Sequence, residues 1–171
     1  FRVSVCLTSQ HKELLRQVTQ FFGITEDVDL DVMVHNQTLE HVTAAVLMKM
    51  RGVLEDFKPD VLLVQGDTTT VFTSALAAFY QKIRVGHVEA GLRSYNRRMP
   101  EEHNRVLTDH ASTWLFCPTD LAVRNLGDEG IHEGVHQVGD VMFDTVRMAG
   151  HETRPEERLA NLGLEPGGYY L

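Results

Sequence analysis

Three acidic positions fall where chemistry is usually done. Asp67 follows the apolar run Val61–Val64 and Gly66, Glu89 follows the run Ile83–Val88, and Glu101 and Glu102 follow Pro100. An apolar run that ends on a turn and a carboxylate reads as a parallel strand delivering the acid to the carboxyl edge of a sheet, where open α/β sheets bind ligands. Carboxylates gathered on one edge suit proton removal and return on a polar substrate. Arginines accompany them: Arg93, Arg97 and Arg98 lie close together, and Arg105 follows Glu101 by four residues. Guanidinium groups match carboxylate and phosphate oxygens, so an anionic substrate fits the set.

Each stretch also has a purely structural reading. In Gly66-Asp67-Thr68-Thr69-Thr70, glycine permits a tight turn and Asp67 or a threonine can cap the next helix; equally, its N–H groups and the Thr68 hydroxyl can hold a polar ligand. In His87-Val88-Glu89-Ala90-Gly91-Leu92-Arg93, acid and arginine form either a compact acid–base pair or a loop ion pair, and His87 reads as a core histidine. Glu101 and Arg105 stand i, i+4 on one helical face, which would hold the carboxylate in place, while acids in a first turn also suit the helix dipole. The chain has no HExxH, CxxC, GxSxG, GxGxxG or P-loop pattern, so no metal, nucleophile or dinucleotide signature accompanies the carboxylates, and no cofactor is expected.

The elements that must position these residues alternate along the chain. Strand Arg2–Thr8 precedes helix Gln10–Phe22 with a Ser9 cap, and strand Asp29–Val34 precedes helix Thr38–Phe57. Strand Val61–Gln65, helix Thr70–Lys82, strand Arg84–Val88, loop Glu89–Met99 and helix Pro100–Ala111 follow. Strand Trp114–Cys117, helix Thr119–Leu126, strand Gly134–Val138 and helices Val141–Ala149 and Arg154–Leu162 complete the reading. The alternation predicts one α/β domain over residues 1–171, a Rossmann-like parallel sheet with helices on both faces. The unbroken apolar run of Val61–Val64 suits a strand covered on both sides.

A net charge of −8 argues against a nucleic-acid surface. No apolar run reaches the ~18–20 residues of a membrane span. Neither nucleic acid nor membrane is therefore an expected partner, and cytoplasm is the expected compartment. Cys6 and Cys117 read as buried free thiols. The chain opens directly on a strand and closes on Gly167-Gly168-Tyr169-Tyr170-Leu171, a turn into a strand that stops short, so it reads as an excerpt of a longer protein.

QGDTTT at Gln65–Thr70, GHVEAGLRS at Gly86–Ser94 and MPEEHNR at Met99–Arg105 closely resemble the non-hydrolysing UDP-N-acetylglucosamine 2-epimerases. Thr8–Val18, Phe57–Val64 and Val138–Asp140 match in the same order. That family interconverts UDP-GlcNAc and UDP-ManNAc by anti elimination of UDP through a 2-acetamidoglucal intermediate. Its site lies in a cleft between two Rossmann-like halves of GT-B type. The resemblance implies that this chain is the amino-terminal half, that a UDP-sugar is its substrate, and that Asp67, Glu89 and Glu101 are the catalytic carboxylates. Arg105 matches a substrate-positioning arginine, and Arg93 and Thr68 are further substrate-binding candidates.

Gln10, His11 and Gln37 match a second, regulatory UDP-GlcNAc site of bacterial members, although Asn36 stands where some relatives have arginine. The family's opening strand with its GTRPE-like turn, and its carboxyl-terminal UDP-binding domain, have no counterpart in this sequence. The expectations that follow are an inactive isolated chain, an exposed sheet edge, and a homodimer for the complete enzyme. A hydrolysing epimerase that releases ManNAc, a GT-B glycosyltransferase half and a non-catalytic nucleotide-sugar binding module are the alternatives; HVEAGLRS and PEEHNR favour the non-hydrolysing branch.

Overall fold

The computed structural model describes residues 1–9, 12–34, 36–152 and 155–169. The chain divides into two compact units, Phe1–Gly139 and Asp140–Leu171. In the first, β1 (Cys6–Leu7) and β2 (Val28–Asp29) form a parallel pair, with α1 (Lys12–Phe21) between them in sequence. A second sheet places β3 (Val61–Gln65), β4 (Arg84–Val88), β5 (Trp114–Cys117) and β6 (Val135–Gln137) side by side in that order, all parallel. The crossovers are α3 (Thr69–Tyr80), α4 (Pro100–Ala111) and α5 (Asp120–Asp128), and α2 (Leu39–Phe57) leads into β3. The α/β alternation, with parallel sheets and helices packed around them, is the architecture expected from the sequence.

Helix α2 shows why these residues fold as they do. The Thr38 hydroxyl accepts the His41 N–H at 3.3 Å, and Lys58, left-handed at φ 48°, returns its N–H to Leu54 before Pro59 bars continuation. Val42, Val46, Met50 and Leu54 recur at helical spacing and are all buried. They pack with Leu30, Val32, Val64, Ala75, Ala78 and Val85 in the main core. A smaller core of Ala90, Leu115, Cys117, Ala122 and Leu126 lies toward β5 and α5. Both cysteines are free, Cys117 being buried and Cys6 half-buried. Burial, reinforced by the charge of Asp109, pushes the Cys117 thiol up to about 11.

Two expectations need correction. The strand predicted at Arg2–Thr8 shortens to Cys6–Leu7, and the one predicted at Asp29–Val34 lies instead at Val28–Asp29; among the described residues each has only the other as a ladder partner. Asp31, at φ 45°, also breaks the extended run, its N–H turning back to the Asp29 carboxylate at 2.9 Å. The second concerns β3: Val64 is 9% exposed but its neighbour Leu63 is 64% exposed, so the strand is not covered on both sides there.

The second unit holds α6 (Val141–Glu152) and α7 (Pro155–Asn161). Asp140 accepts the Met142 N–H at 2.8 Å as α6 begins. Among the described residues no helix is long and apolar enough to cross a membrane.

Candidate active site

The sheet register brings the turns after β3 and β4 to one edge. Gln65 lies opposite Val88, and Val88 opposite Phe116, so these strands finish level with one another. Gly66, at φ 83°, turns the chain out of β3 while donating its N–H to the Val88 carbonyl at 3.1 Å. Glu89 leaves β4 in the left-handed region at φ 73°, and its N–H and that of Ala90 both reach the Phe116 carbonyl at 3.1 Å. A methyl group on Gly66 would sit 3.9 Å from Glu89 Oε2, so the Glu89 carboxylate leans over the glycine that precedes Asp67. Among the described residues that carboxylate has no hydrogen-bond partner, which leaves it available to a ligand.

Helix α4 closes the same edge from beside it. Arg105 Nη2 donates to Asp67 Oδ2, and Asn104 Nδ2 donates to the Asp67 carbonyl at 3.0 Å. Asp67 is thus held by side chain and backbone together. The Arg105 Nε is buried without a partner among the described residues. Glu101, in the first turn of α4, is exposed and likewise carries no side-chain hydrogen bond among the described residues. The expected Glu101–Arg105 pairing is not formed: Arg105 instead faces Asp67 and, at 3.6 Å, Glu102. Nor is Asp67 the cap of α3. Thr68 takes that role, its hydroxyl accepting the Val71 N–H at 3.4 Å and sharing a hydrogen bond with Thr70 Oγ1 at 2.8 Å.

Arg93 is bonded within the protein itself. Its side chain is 1% exposed. Nε and Nη2 donate to the two oxygens of Glu129 at 2.7 Å, while Nη1 donates to Asp109 at 2.8 Å and to the Leu92 carbonyl at 2.7 Å. Burial works to lower its pKa, but the hydrogen bonds and charges of Glu129 and Asp109 prevail and raise it. The arginine cluster is therefore split, with Arg97 and Arg98 exposed. Asp109 also accepts the Gly91 N–H at 3.1 Å and meets His87 Nδ1 at 2.6 Å, both side chains being 0% exposed.

The long loop 89–99 is stitched down. Glu102 accepts the Ser94 N–H at 2.9 Å, the Ser94 hydroxyl at 2.9 Å and the Tyr95 N–H at 2.8 Å. Burial of Glu102 would raise its pKa, yet these donors and the nearby Arg105 outweigh it and hold the carboxyl below its ordinary value. The Tyr95 hydroxyl donates to Asn125 at 2.9 Å, and Asn125 donates to the Gly91 carbonyl at 2.9 Å. Sequence reasoning did not single out Asp109, Asn104, Glu129 or Asn125. The one available signal was a histidine inside an apolar strand, which needs a buried partner.

Gln37 is used locally, accepting the Val34 N–H at 2.9 Å and approaching Met33 Sδ at 3.4 Å. Gln10 and His11 lie outside the described residues. Among the described residues no group of three His, Cys, Asp or Glu side chains is disposed to hold a metal ion.

Comparison with known proteins agrees along nearly the whole chain. The model of the UDP-N-acetylglucosamine 2-epimerase family matches residues 1–170. The UDP-N-acetylglucosamine 2-epimerase of Neisseria meningitidis is 49% identical over 148 residues, 85% of this chain and 40% of that protein. A crystal structure of UDP-GlcNAc 2-epimerase from Neisseria meningitidis bound to UDP-GlcNAc superposes with a TM-score of 0.83 at 47% identity, covering 92% of this chain and 42% of that one. The enzyme of Methanocaldococcus jannaschii, solved with UDP-GlcNAc and UDP, gives 0.74 at 44% identity over 78% of this chain and 37% of its own. The chain thus spans about 40% of the length of these relatives. Its motifs, its sheet and its length of match all place it in the UDP-N-acetylglucosamine 2-epimerase family.

Proposed function

We propose that this chain supplies the carboxylate-bearing half of an enzyme that interconverts UDP-GlcNAc and UDP-ManNAc at C2 without releasing the free sugar. One carboxylate removes the C2 proton while another group assists departure of UDP from C1. UDP then returns after a proton is delivered to the opposite face of C2. Asp67, Glu89 and Glu101 are the candidates for the proton-transfer roles, and Arg105 positions Asp67 and offers positive charge toward the substrate. Thr68 adds a hydroxyl at the helix start. Arg93 serves the same site from behind, through Asp109 and the Gly91 turn.

The observation that carries this reading is the meeting of Asp67 and Glu89 on one sheet edge, with α4 clamping Asp67. Catalysis of this kind needs a base placed within hydrogen-bond reach of the substrate proton. The rest of the UDP site belongs to parts of the whole enzyme outside this chain, so the isolated polypeptide is expected to be inactive. A homodimer, a cytoplasmic location and a regulatory site at Gln10, His11 and Gln37 belong to the same reading.

The test is product analysis of the whole enzyme with UDP-GlcNAc in D2O. UDP-ManNAc carrying deuterium at C2 is the expected result. Free ManNAc with UDP would establish the hydrolysing reaction instead, and binding without any product would make the protein a nucleotide-sugar binder. Glu89→Gln should lower turnover by about 10²-fold or more with binding largely kept.

A further inference from the structure

His87 sits between the two turns that carry Asp67 and Glu89, and its two ring nitrogens bond toward both. Nε2 lies 2.9 Å from the Gly66 carbonyl, which can only accept, so Nε2 carries a hydrogen. Nδ1 lies 2.6 Å from Asp109 Oδ1, and a hydrogen must lie between them. The other oxygen of Asp109 accepts from Gly91 N at 3.1 Å and Arg93 Nη1 at 2.8 Å, so three partners converge on the carboxyl. Both ring nitrogens are thus bound, Nε2 to the turn after β3 and Nδ1 to the carboxyl that holds Gly91.

We infer that His87 is a positioning residue for the catalytic edge. One ring nitrogen fixes the Gly66 carbonyl and with it the turn bearing Asp67. The other fixes Asp109, which in turn holds the Gly91 N–H and the turn bearing Glu89. The ring touches no substrate; it sets the separation of two carboxylates that approach the substrate from different strands. This rests on the proposed roles of Asp67 and Glu89. A small shift of groups held in this way reduces turnover without necessarily weakening binding.

Two measurements test it. In the whole enzyme, His87→Gln keeps a donor toward Gly66 but loses Asp109, and His87→Asn keeps a donor toward Asp109 but loses Gly66. Both should lower kcat by about 10–100-fold with KM for UDP-GlcNAc within about threefold, at temperatures where circular dichroism shows each variant folded. Unchanged kcat in the folded variants, with only a lower Tm, would overturn the inference. Independently of activity and of whether the variants fold, 15N-resolved NMR of the wild-type enzyme at neutral pH should show a hydrogen on Nε2 of His87; an Nε2 without one would overturn it. An enzyme that turns nothing over would refute the epimerase reading alone, since the NMR result would still decide the state of the ring.

Discussion

Arg105 on α4 donates to the carboxylate of Asp67, 38 residues earlier in the chain, while its neighbour Asn104 grips the Asp67 carbonyl. The helix that carries Glu101 therefore also fixes the acid at the end of β3. Arg105→Ala should free Asp67 and lower kcat of the whole enzyme by about 10²-fold. Arg105→Lys should recover only part of the loss, because an ammonium keeps the charge but not the planar fork. Steady-state kinetics of both variants check this, and full rescue by lysine would show that charge alone suffices.

Glu89 occupies left-handed backbone at φ 73°, a conformation that costs a non-glycine residue about 1–2 kcal/mol. Glycine would relieve that strain while adding about 0.4–1 kcal/mol of unfolded-state entropy. Glu89→Gly should consequently be no less stable than the parent while its turnover disappears. Thermal melts alongside assays test the pair of effects, and a clear fall in Tm would show that the carboxylate stabilises the fold as well as serving the site.

Glu102 is held below its ordinary pKa by the donors from Ser94 and Tyr95 and by Arg105, against the opposing effect of burial. A carboxyl depressed in the folded state contributes stability that is complete above its unfolded value near 4.5 and is lost as pH falls through the folded value. Glu102→Gln should cost about 1–3 kcal/mol at pH 7. The gap between parent and variant should close on acidification below that range. Tm measured from pH 7 down to about 3 follows it; a gap that stays constant with pH would mean the loss is one of packing.

Gly91 combines φ 79° with a position where a Cβ would lie 2.4 Å from the Ala122 carbonyl oxygen. Gly91→Ala should therefore destabilise by about 2–5 kcal/mol, the sum of left-handed strain and overpacking. Gly23, at φ 62° with nothing within 4 Å of its Cβ position, is the control that meets only the first penalty. Denaturant unfolding of both variants separates the two effects, and equal losses would remove the clash from the account.

What the sequence made legible were local patterns. Thr38, the apolar stripe of α2 and Pro59 mark a helix within one residue of its observed bounds. Apolar runs ending on Asp67 and Glu89 mark the strands and their common edge because side-chain burial and turn chemistry act over neighbouring residues. Pairing choices were not legible. Arg105 has Glu101 one turn before it and chooses Asp67, since α4 packs its inner side against the turn after β3. Arg93 looks like a ligand for anions and is instead a buried ion-pair partner, a distinction made by the placement of Asp109 and Glu129. His87 carried the signal of a core residue, correctly, but its partner could be found only in three dimensions.

The fastening of residues 89–99 has one more consequence. Ser94 and Tyr95 are tied to Glu102 on α4, and Tyr95 and Gly91 are tied through Asn125 to α5. Fastened to two helices, the segment forms a wall of the proposed site. Under the proposed function, a bound UDP-sugar meets this rim as a ready-made surface.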